Sequence, residues 1–349
     1  MCHSNRTWDI LRPCHLGLGT LPRAAVPGRE QHDLEYRMPI PTPLSGVVPP
    51  VITPLTPAGE VDTASVRRLT EHLITAGVHG LFLLGSSGEA AYLTDAQRLT
   101  ALETAVDAAA GRVPVLAGVI DTTTARVLDR AADAVRAGAD ALVATAPFYT
   151  RTHPAEIARH YRLVAARCEV PVLAYDLPMA VHTKLGADLV LELAADGVLS
   201  GLKDSSGDLA AFRSVVTGAR AHPDLTGFSV LTGSELIADS ALALGADGVV
   251  PGLGNVDPAG YVRLYDLCRA GDWERARAEQ ERLCALFGMV TVGDPARMGG
   301  GSSALGAFKA ALHLRGVIAC PATAEPQVPL SADEVERVGK YVAAAGLEP

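Results

Sequence analysis

From residue 48 to residue 270 one pattern recurs eight times: a short, apolar, β-branched run, then a longer segment of helical period. The runs lie at 48–55, 80–85, 113–119, 141–147, 171–177, 199–203, 228–232 and 248–253. The helical segments lie near 62–76, 95–110, 122–137, 154–168, 186–196, 208–220, 236–245 and 258–270. Each step takes about 30 residues, the length of a strand–helix–strand crossover. Most runs lack polar alternation, so both faces of the strands are covered, as in a parallel sheet. Asp62 is placed to cap the first helix, and Thr94 with Gln97 to form a capping box on the second. The junctions at 77–80, 138–141 and 245–248 repeat a helix stop at a glycine followed by a buried strand.

Eight such units predict a TIM (β/α)8 barrel over 45–271. An open, doubly wound sheet is the competing arrangement. It would prefer a Gly-rich phosphate loop after its first strand, where this chain reads Thr53-Pro-Leu-Thr-Pro57. Beyond Gly271 only helical patterns remain, at 272–288, 304–315 and 332–345, which predicts a small all-helical C-terminal domain over 272–349. Residues 1–44 are rich in Pro, Arg and His and show no lasting period; they read as a disordered extension, with Met38 a candidate start. The apolar stretch at 16–21 is broken by Gly17 and Gly19, which argues against a secretory signal. Asp9, Glu30, Asp33 and Glu35 argue against a transit peptide.

Composition narrows the function classes. A net charge of −9 disfavours nucleic acid and anionic membranes as partners, and no apolar run reaches the ~18 residues that span a bilayer. Cys2, Cys14, Cys168, Cys268, Cys284 and Cys320 form no metal-ligand spacing and are too sparse for a disulfide scaffold. They read as reduced thiols of a cytoplasmic protein. No dinucleotide fingerprint, Walker loop or metal cluster is present, so no cofactor is expected.

A barrel carries its chemistry at the C-terminal ends of its strands. Strand two ends in Gly85-Ser86-Ser87-Gly88-Glu89, strand four in Pro147-Phe148-Tyr149, and strand five in Tyr175-Asp176-Leu177-Pro178. Strand six ends in Gly201-Leu202-Lys203-Asp204-Ser205-Ser206, and strand eight in Pro251-Gly252-Leu253-Gly254-Asn255. Lys203 stands inside an apolar strand. It is either paired with Asp204 and led out to water, or it is a nucleophile. A lysine partly removed from water gives up its proton more readily, and the neutral amine attacks a ketone to form a Schiff base. Tyr175, one strand away, is either core packing or the proton shuttle such chemistry requires. Ser86, Ser87 and Gly88 form either an ordinary turn or a nest for a carboxylate.

Taken in order, these motifs resemble the dihydrodipicolinate synthase / N-acetylneuraminate lyase superfamily of class I pyruvate-dependent aldolases. The resemblance covers about 46–346. It rests on the G-[ST]-[ST]-G-E motif at Gly85, the Pro-aromatic-Tyr motif at Pro147, the Tyr-[Asn/Asp]-x-Pro motif at Tyr175 and the Gly-x-Lys-[Asp/Glu] motif at Gly201. It implies that Lys203 is the Schiff-base lysine holding pyruvate, Tyr175 the general acid/base, and Ser86 the hydroxyl relay. Ser87 and Gly88 would bind the carboxylate, and Gly233 and Val250 would line the pyruvate pocket by their backbone. Tyr149 would complete the relay across a dimer interface in a homotetramer built as a dimer of dimers. One position departs: the synthases carry an arginine five residues after the catalytic tyrosine, and here that residue is Ala180. His182, nearby, either contacts a second substrate or is solvated.

The resemblance therefore implies a pyruvate-dependent lyase or aldolase acting on a 2-keto acid, such as a 2-keto-3-deoxy sugar acid. Three alternatives stand beside it. They are a 4-hydroxy-tetrahydrodipicolinate synthase that replaces the arginine, a 2-keto-3-deoxy-acid dehydratase, and a non-catalytic metabolite-binding barrel.

Overall fold

The computed structural model describes residues 40–347. Of the extension expected over 1–44, residues 1–39, Met38 among them, lie outside the described residues. Ile40 and Leu44 pack against the inner core of the barrel, and the Leu44 N–H donates to Ser229 Oγ at 2.8 Å.

The barrel strands are β1 (Gly46–Val47), β2 (Leu81–Leu83), β3 (Val115–Gly118), β4 (Ala141–Thr145), β5 (Val172–Asp176), β6 (Gly201–Asp204), β7 (Ser229–Thr232) and β8 (Gly248–Val249). Every pair is parallel, in the order β1-β8-β7-β6-β5-β4-β3-β2. A bridge between Pro50 and Phe82 closes the ring. The helices around it are α1 (Thr63–Thr75), α2 (Asp95–Ala109), α3 (Thr124–Ala137), α4 (Pro154–Ala165), α5 (Pro178–Val181), α6 (Ala187–Ala195), α7 (Leu209–Ala221), α8 (Ala238–Ala243) and α9 (Pro258–Arg269). The C-terminal helical region contributes α10 (Trp273–Phe287), α11 (Gly300–Leu314) and α12 (Ala332–Ala344). This is the TIM barrel with added C-terminal helices that the eightfold pattern predicts.

The local signals act as expected. The Asp62 carboxylate accepts from Ser65 N–H at 3.0 Å, and Thr94 and Gln97 form a full capping box. Gly138 and Gly245 close their helices at φ of 98° and 101°, angles that cost a side chain 1–2 kcal/mol or so.

Three boundaries differ for physical reasons. The run at 48–55 predicts the first strand, but only Gly46–Val47 is ladder-paired as β1. Pro49, Pro50 and Pro54 have no N–H to give, although Val51 N–H still reaches Phe82 O at 2.8 Å. The run at 248–253 stops as a strand at Val249 and turns into a 3-10 segment at Gly252–Asn255. Finally, α11 starts at Gly300 rather than 304, because its opening glycines and serines carry no helical signal.

Two cores follow from strand alternation. Leu44, Val48, Phe82, Leu116, Val143, Leu173, Tyr175, Leu231 and Val250 fill the barrel interior. The larger cluster lies between strands and helices. Tyr175 thus belongs to the interior layer, and the register pairs it with Lys203 on β6.

Candidate active site

Lys203 and Tyr175 face each other across adjacent strands, 5% and 3% exposed. The Lys203 ammonium lies 3.6 Å from the centroid of the Tyr175 ring and 5.6 Å from that of Phe82. It donates to Ser205 Oγ at 3.0 Å. Among the described residues Lys203 has no carboxylate within salt-bridge distance, so the pairing with Asp204 is absent. The Asp204 carboxylate instead accepts from the Ser206 N–H and hydroxyl, both at 2.7 Å.

Burial alone would push the Tyr175 phenol up. The charge of Lys203 and hydrogen bonds from Lys203, Ser86 and Ser205 outweigh it and bring the phenol below the ordinary tyrosine value. The Ser86 hydroxyl is 3.3 Å from the Tyr175 oxygen. The β2 segment, turned back on itself, delivers it: Glu89 N–H donates to Ser86 O at 3.1 Å, and Thr53 Oγ1 donates to Gly88 O at 2.8 Å. Ser86 is exposed and Ser87 half-buried, so both hydroxyls can meet a ligand. Val250 is buried in the barrel interior, and Gly233 lies beside Ser205.

Three other expected residues sit apart. Tyr149 follows β4 with φ of 77° and a ring 92% exposed, and among the described residues it bonds to neither Tyr175 nor Ser86. Ala180 is exposed on the single turn of α5, and His182, exposed, caps that turn at φ of 55°.

Several groups at the site escaped the sequence reading. Ser205, within the quoted end of strand six, was given no role; its spacing of two from Lys203 was the available signal. Glu235 lies just past β7. Its carboxylate accepts from Leu253 N–H at 2.6 Å, and burial pushes it up to about 7 against that bond and the charge of Lys203. An acid at the mouth end of a strand was the clue. Lys184 bridges Asp176 and Asp204, the register pair next to Tyr175 and Lys203. Burial opposes its charge, but the two carboxylates outweigh that and raise it. Asn255 ties the extended segment after β1 to the end of β8, accepting from Ile52 N–H at 3.1 Å and donating to Pro50 O at 2.9 Å. Glu89 forms a buried ion pair with Lys309 of α11, a partner too distant in sequence to foresee.

The arrangement is a lysine, a depressed phenol and a serine hydroxyl at the open end of a barrel, a set of groups suited to imine formation and proton transfer. Comparison with known proteins gives the family. The model of the dihydrodipicolinate synthetase family matches residues 43–345. An uncharacterized DapA-like lyase of Halobacterium salinarum is 36% identical over 281 residues, covering 80% of this chain and 88% of that protein. A 4-hydroxy-tetrahydrodipicolinate synthase of Kineococcus radiotolerans is 32% identical over 308 residues, covering 88% and 95%. Among solved structures, YagE, a prophage protein of the dihydrodipicolinic acid synthase family from E. coli K12 in complex with pyruvate, superposes with a TM-score of 0.80. It is 30% identical, with coverage of 87% of this chain and 99% of that one. No helix among the described residues is long and apolar enough to cross a membrane. The chain is an enzyme of the dihydrodipicolinate synthetase family, and with it a class I aldolase in type.

Proposed function

We propose that the protein is a pyruvate-dependent aldolase that forms or cleaves a 2-keto acid through a Schiff base on Lys203. The observation that carries this reading is Lys203 set against Tyr175, with Ser86 on the phenol, at the barrel mouth, and among the described residues no carboxylate within salt-bridge distance of the amine. The pyruvate complex of YagE supports the choice of keto acid.

The free amine of Lys203 attacks the keto carbon. Tyr175 gives the resulting alkoxide a proton, the new C–N ammonium gives the hydroxyl a second, and water leaves as the iminium forms. The iminium draws electrons from the neighbouring methyl, whose proton returns through Tyr175 and Ser86 to leave an enamine. The enamine carbon then adds to an aldehyde, and water releases the product. Backbone N–H groups and hydroxyls at Ser86, Ser87 and Gly88 would hold the pyruvate carboxylate, with Gly233 and Val250 lining the pocket. Tyr149 would reach a neighbouring subunit of a homotetramer, where its exposed ring could extend the relay.

Ala180 decides between substrates. An alanine on an exposed turn gives an aldehyde's carboxylate no bidentate contact, which favours an uncharged aldehyde or one carrying hydroxyls. His182 stands two residues on to meet it. The name of the Kineococcus relative favours a second reading, 4-hydroxy-tetrahydrodipicolinate synthase, in which another group replaces the arginine. Borohydride reduction with pyruvate, read by intact mass and peptide mapping, tests the shared step: a stable adduct on Lys203 is expected, and no adduct where a known aldolase is trapped would end it. A panel of aldehydes that includes aspartate semialdehyde then separates the two substrates.

A further inference from the structure

Lys184 has no part in the scheme above, yet it joins the two strands that carry the reacting pair. Asp176 and Asp204 follow Tyr175 and Lys203 by one residue and form the next register pair of β5 and β6. Alternation along a strand turns their side chains away from the face of the phenol and the amine. Both carboxylates are buried. Both meet one ammonium: Lys184 pairs with Asp176 and lies 3.4 Å from Asp204 Oδ2. Two like charges gathered around a single cation repel once that cation is removed. The remaining oxygens are held by neutral donors. Leu185 N–H donates to Asp176 Oδ1 at 3.1 Å, and the Ser206 N–H and hydroxyl donate to Asp204 Oδ1 at 2.7 Å.

Asp176 therefore catches residues 184 and 185 at the far end of the connection that it opens itself. The loop closed in this way carries α5, with Ala180 exposed and His182 as its cap. Beyond the Asp176–Asp204 pair the two strand ends are joined by the Ser205 N–H, which donates to Asp176 O at 2.9 Å. One face of this double end is thus tied by Lys184. The other presents the Tyr175 ring to the Lys203 ammonium, 3.6 Å from its centroid.

We propose that Lys184 is a positioning residue of the active site: by bridging Asp176 and Asp204 it fixes the ends of β5 and β6 and so holds the Tyr175 phenol beside the Lys203 amine. The inference rests on Lys203 being the Schiff-base nucleophile and Tyr175 its proton shuttle. The Lys184 ammonium spends its bonds on Asp176, Asp204 and Leu185 O, and on neither reacting group. Its effect passes through the backbone of the two strands. Without it the carboxylates lose their shared cation and the strand ends shift. A displacement of about 1 Å at a reacting group costs up to about 10²-fold in rate. Forming the imine to completion needs only the amine; moving the methyl proton of bound pyruvate needs the phenol in its place.

The test uses pyruvate alone and two measurements on each protein. Intact mass gives the final fraction of chains that carry a borohydride-reduced pyruvate adduct, which counts competent Lys203. Nuclear magnetic resonance follows exchange of the pyruvate methyl protons in deuterated water, which reads proton transfer in those chains. In Lys184→Met the adduct fraction should equal that of the wild type. Its exchange at saturating pyruvate should fall about tenfold or more, with KM for pyruvate changed by less than about twofold. Lys184→Arg, whose guanidinium can meet both carboxylates, should regain most of the rate. Stranding two buried carboxylates costs stability, so Lys184→Met is also combined with Asp204→Asn. The amide keeps an oxygen for Ser206 and offers Asp176 an N–H, and the double variant should exchange faster than Lys184→Met alone. Exchange by Lys184→Met at the wild-type rate overturns the proposal. So does a loss of exchange that only follows a loss of adduct fraction, which would make Lys184 a folding residue. Arginine and double variants as slow as Lys184→Met overturn it as well. A wild-type protein that neither traps nor exchanges pyruvate removes the Schiff-base reading itself; one that does both, with Lys184→Met its equal, removes the positioning role alone.

Discussion

Lys203 and Lys309 are both buried lysines, 5% and 0% exposed, in two different regions of the molecule. Lys309, on α11, is locked in place. Its ammonium pairs with the Glu89 carboxylate and donates to Ala322 O at 2.7 Å. Glu89 in turn accepts from Ala324 N–H at 2.7 Å and from Gln327 Nε2 at 2.8 Å. Burial pulls the Lys309 ammonium down while Glu89 opposes it, and no face of either group is open. The pair is a strut that fastens the end of the turn bearing Ser86 and Ser87 to the C-terminal helices. Lys203 has the same degree of burial but faces two aromatic rings and a hydroxyl at the mouth of the barrel. Burial therefore does not identify a nucleophile; partners and access do.

The largest effects separate the two lysines by function. Lys203→Ala should abolish the borohydride-trappable adduct and lower turnover by on the order of 10³-fold or more. Its unfolding free energy should change by only about 1 kcal/mol, as read by urea titration. An adduct that persists in Lys203→Ala would place the nucleophile elsewhere. Tyr175→Phe keeps the ring against the ammonium and removes only the hydroxyl. Turnover should fall about 10²–10⁴-fold while pyruvate is still trapped on Lys203. A Tyr175→Phe enzyme with near-normal turnover would assign the proton transfer to another group.

Lys309→Met should behave in the opposite way. Removing one member of a buried ion pair leaves the other charged and unsolvated, a loss of about 3–5 kcal/mol. The double substitution Glu89→Gln with Lys309→Met should recover much of it, because neither charge is then stranded. Chemical denaturation of the single and double variants measures both. If Lys309→Met unfolds within about 1 kcal/mol of the wild type, Glu89 is not held as the geometry indicates.

The contrast also explains what was legible in the sequence. The barrel was, because eight runs and eight helical segments are local patterns, each bounded by its own caps. So was the placement of Lys203, Tyr175 and Ser86 at one mouth of the barrel, because their three motifs stand at strand ends; their roles belong to the proposed function. The first strand was placed too late because its prolines keep the chain extended without a full ladder, a distinction that hydropathy does not register. Lys309 was hidden by its distance from Glu89 of more than 200 positions. It reads as one polar interruption of an apolar helix until the fold brings the two together. Ser205 was visible but unassigned, since its hydrogen bond with Lys203 is made only once the end of β6 is folded.

Glu235 offers the smallest and most pointed test, because it is the nearest thing Lys203 has to the partner Lys309 possesses. Its carboxyl is raised to about 7 from an ordinary 4.5, chiefly by burial. The folded state therefore binds this proton more tightly than the unfolded chain does. Between roughly pH 4.5 and pH 7 the unfolded state holds fewer protons at this site, so stability should fall as pH rises through that window. Below it, both states are protonated and the penalty is absent; above it, the penalty is complete. Glu235→Gln keeps an oxygen for the Leu253 N–H but has no proton to release. It should be more stable than the wild type by about 1–3 kcal/mol at pH 8, and the two should converge near pH 4.5. Thermal or urea unfolding across this range measures the difference. A constant offset at all pH values would mean that Glu235 titrates normally, and that the charge facing Lys203 is present throughout the neutral range.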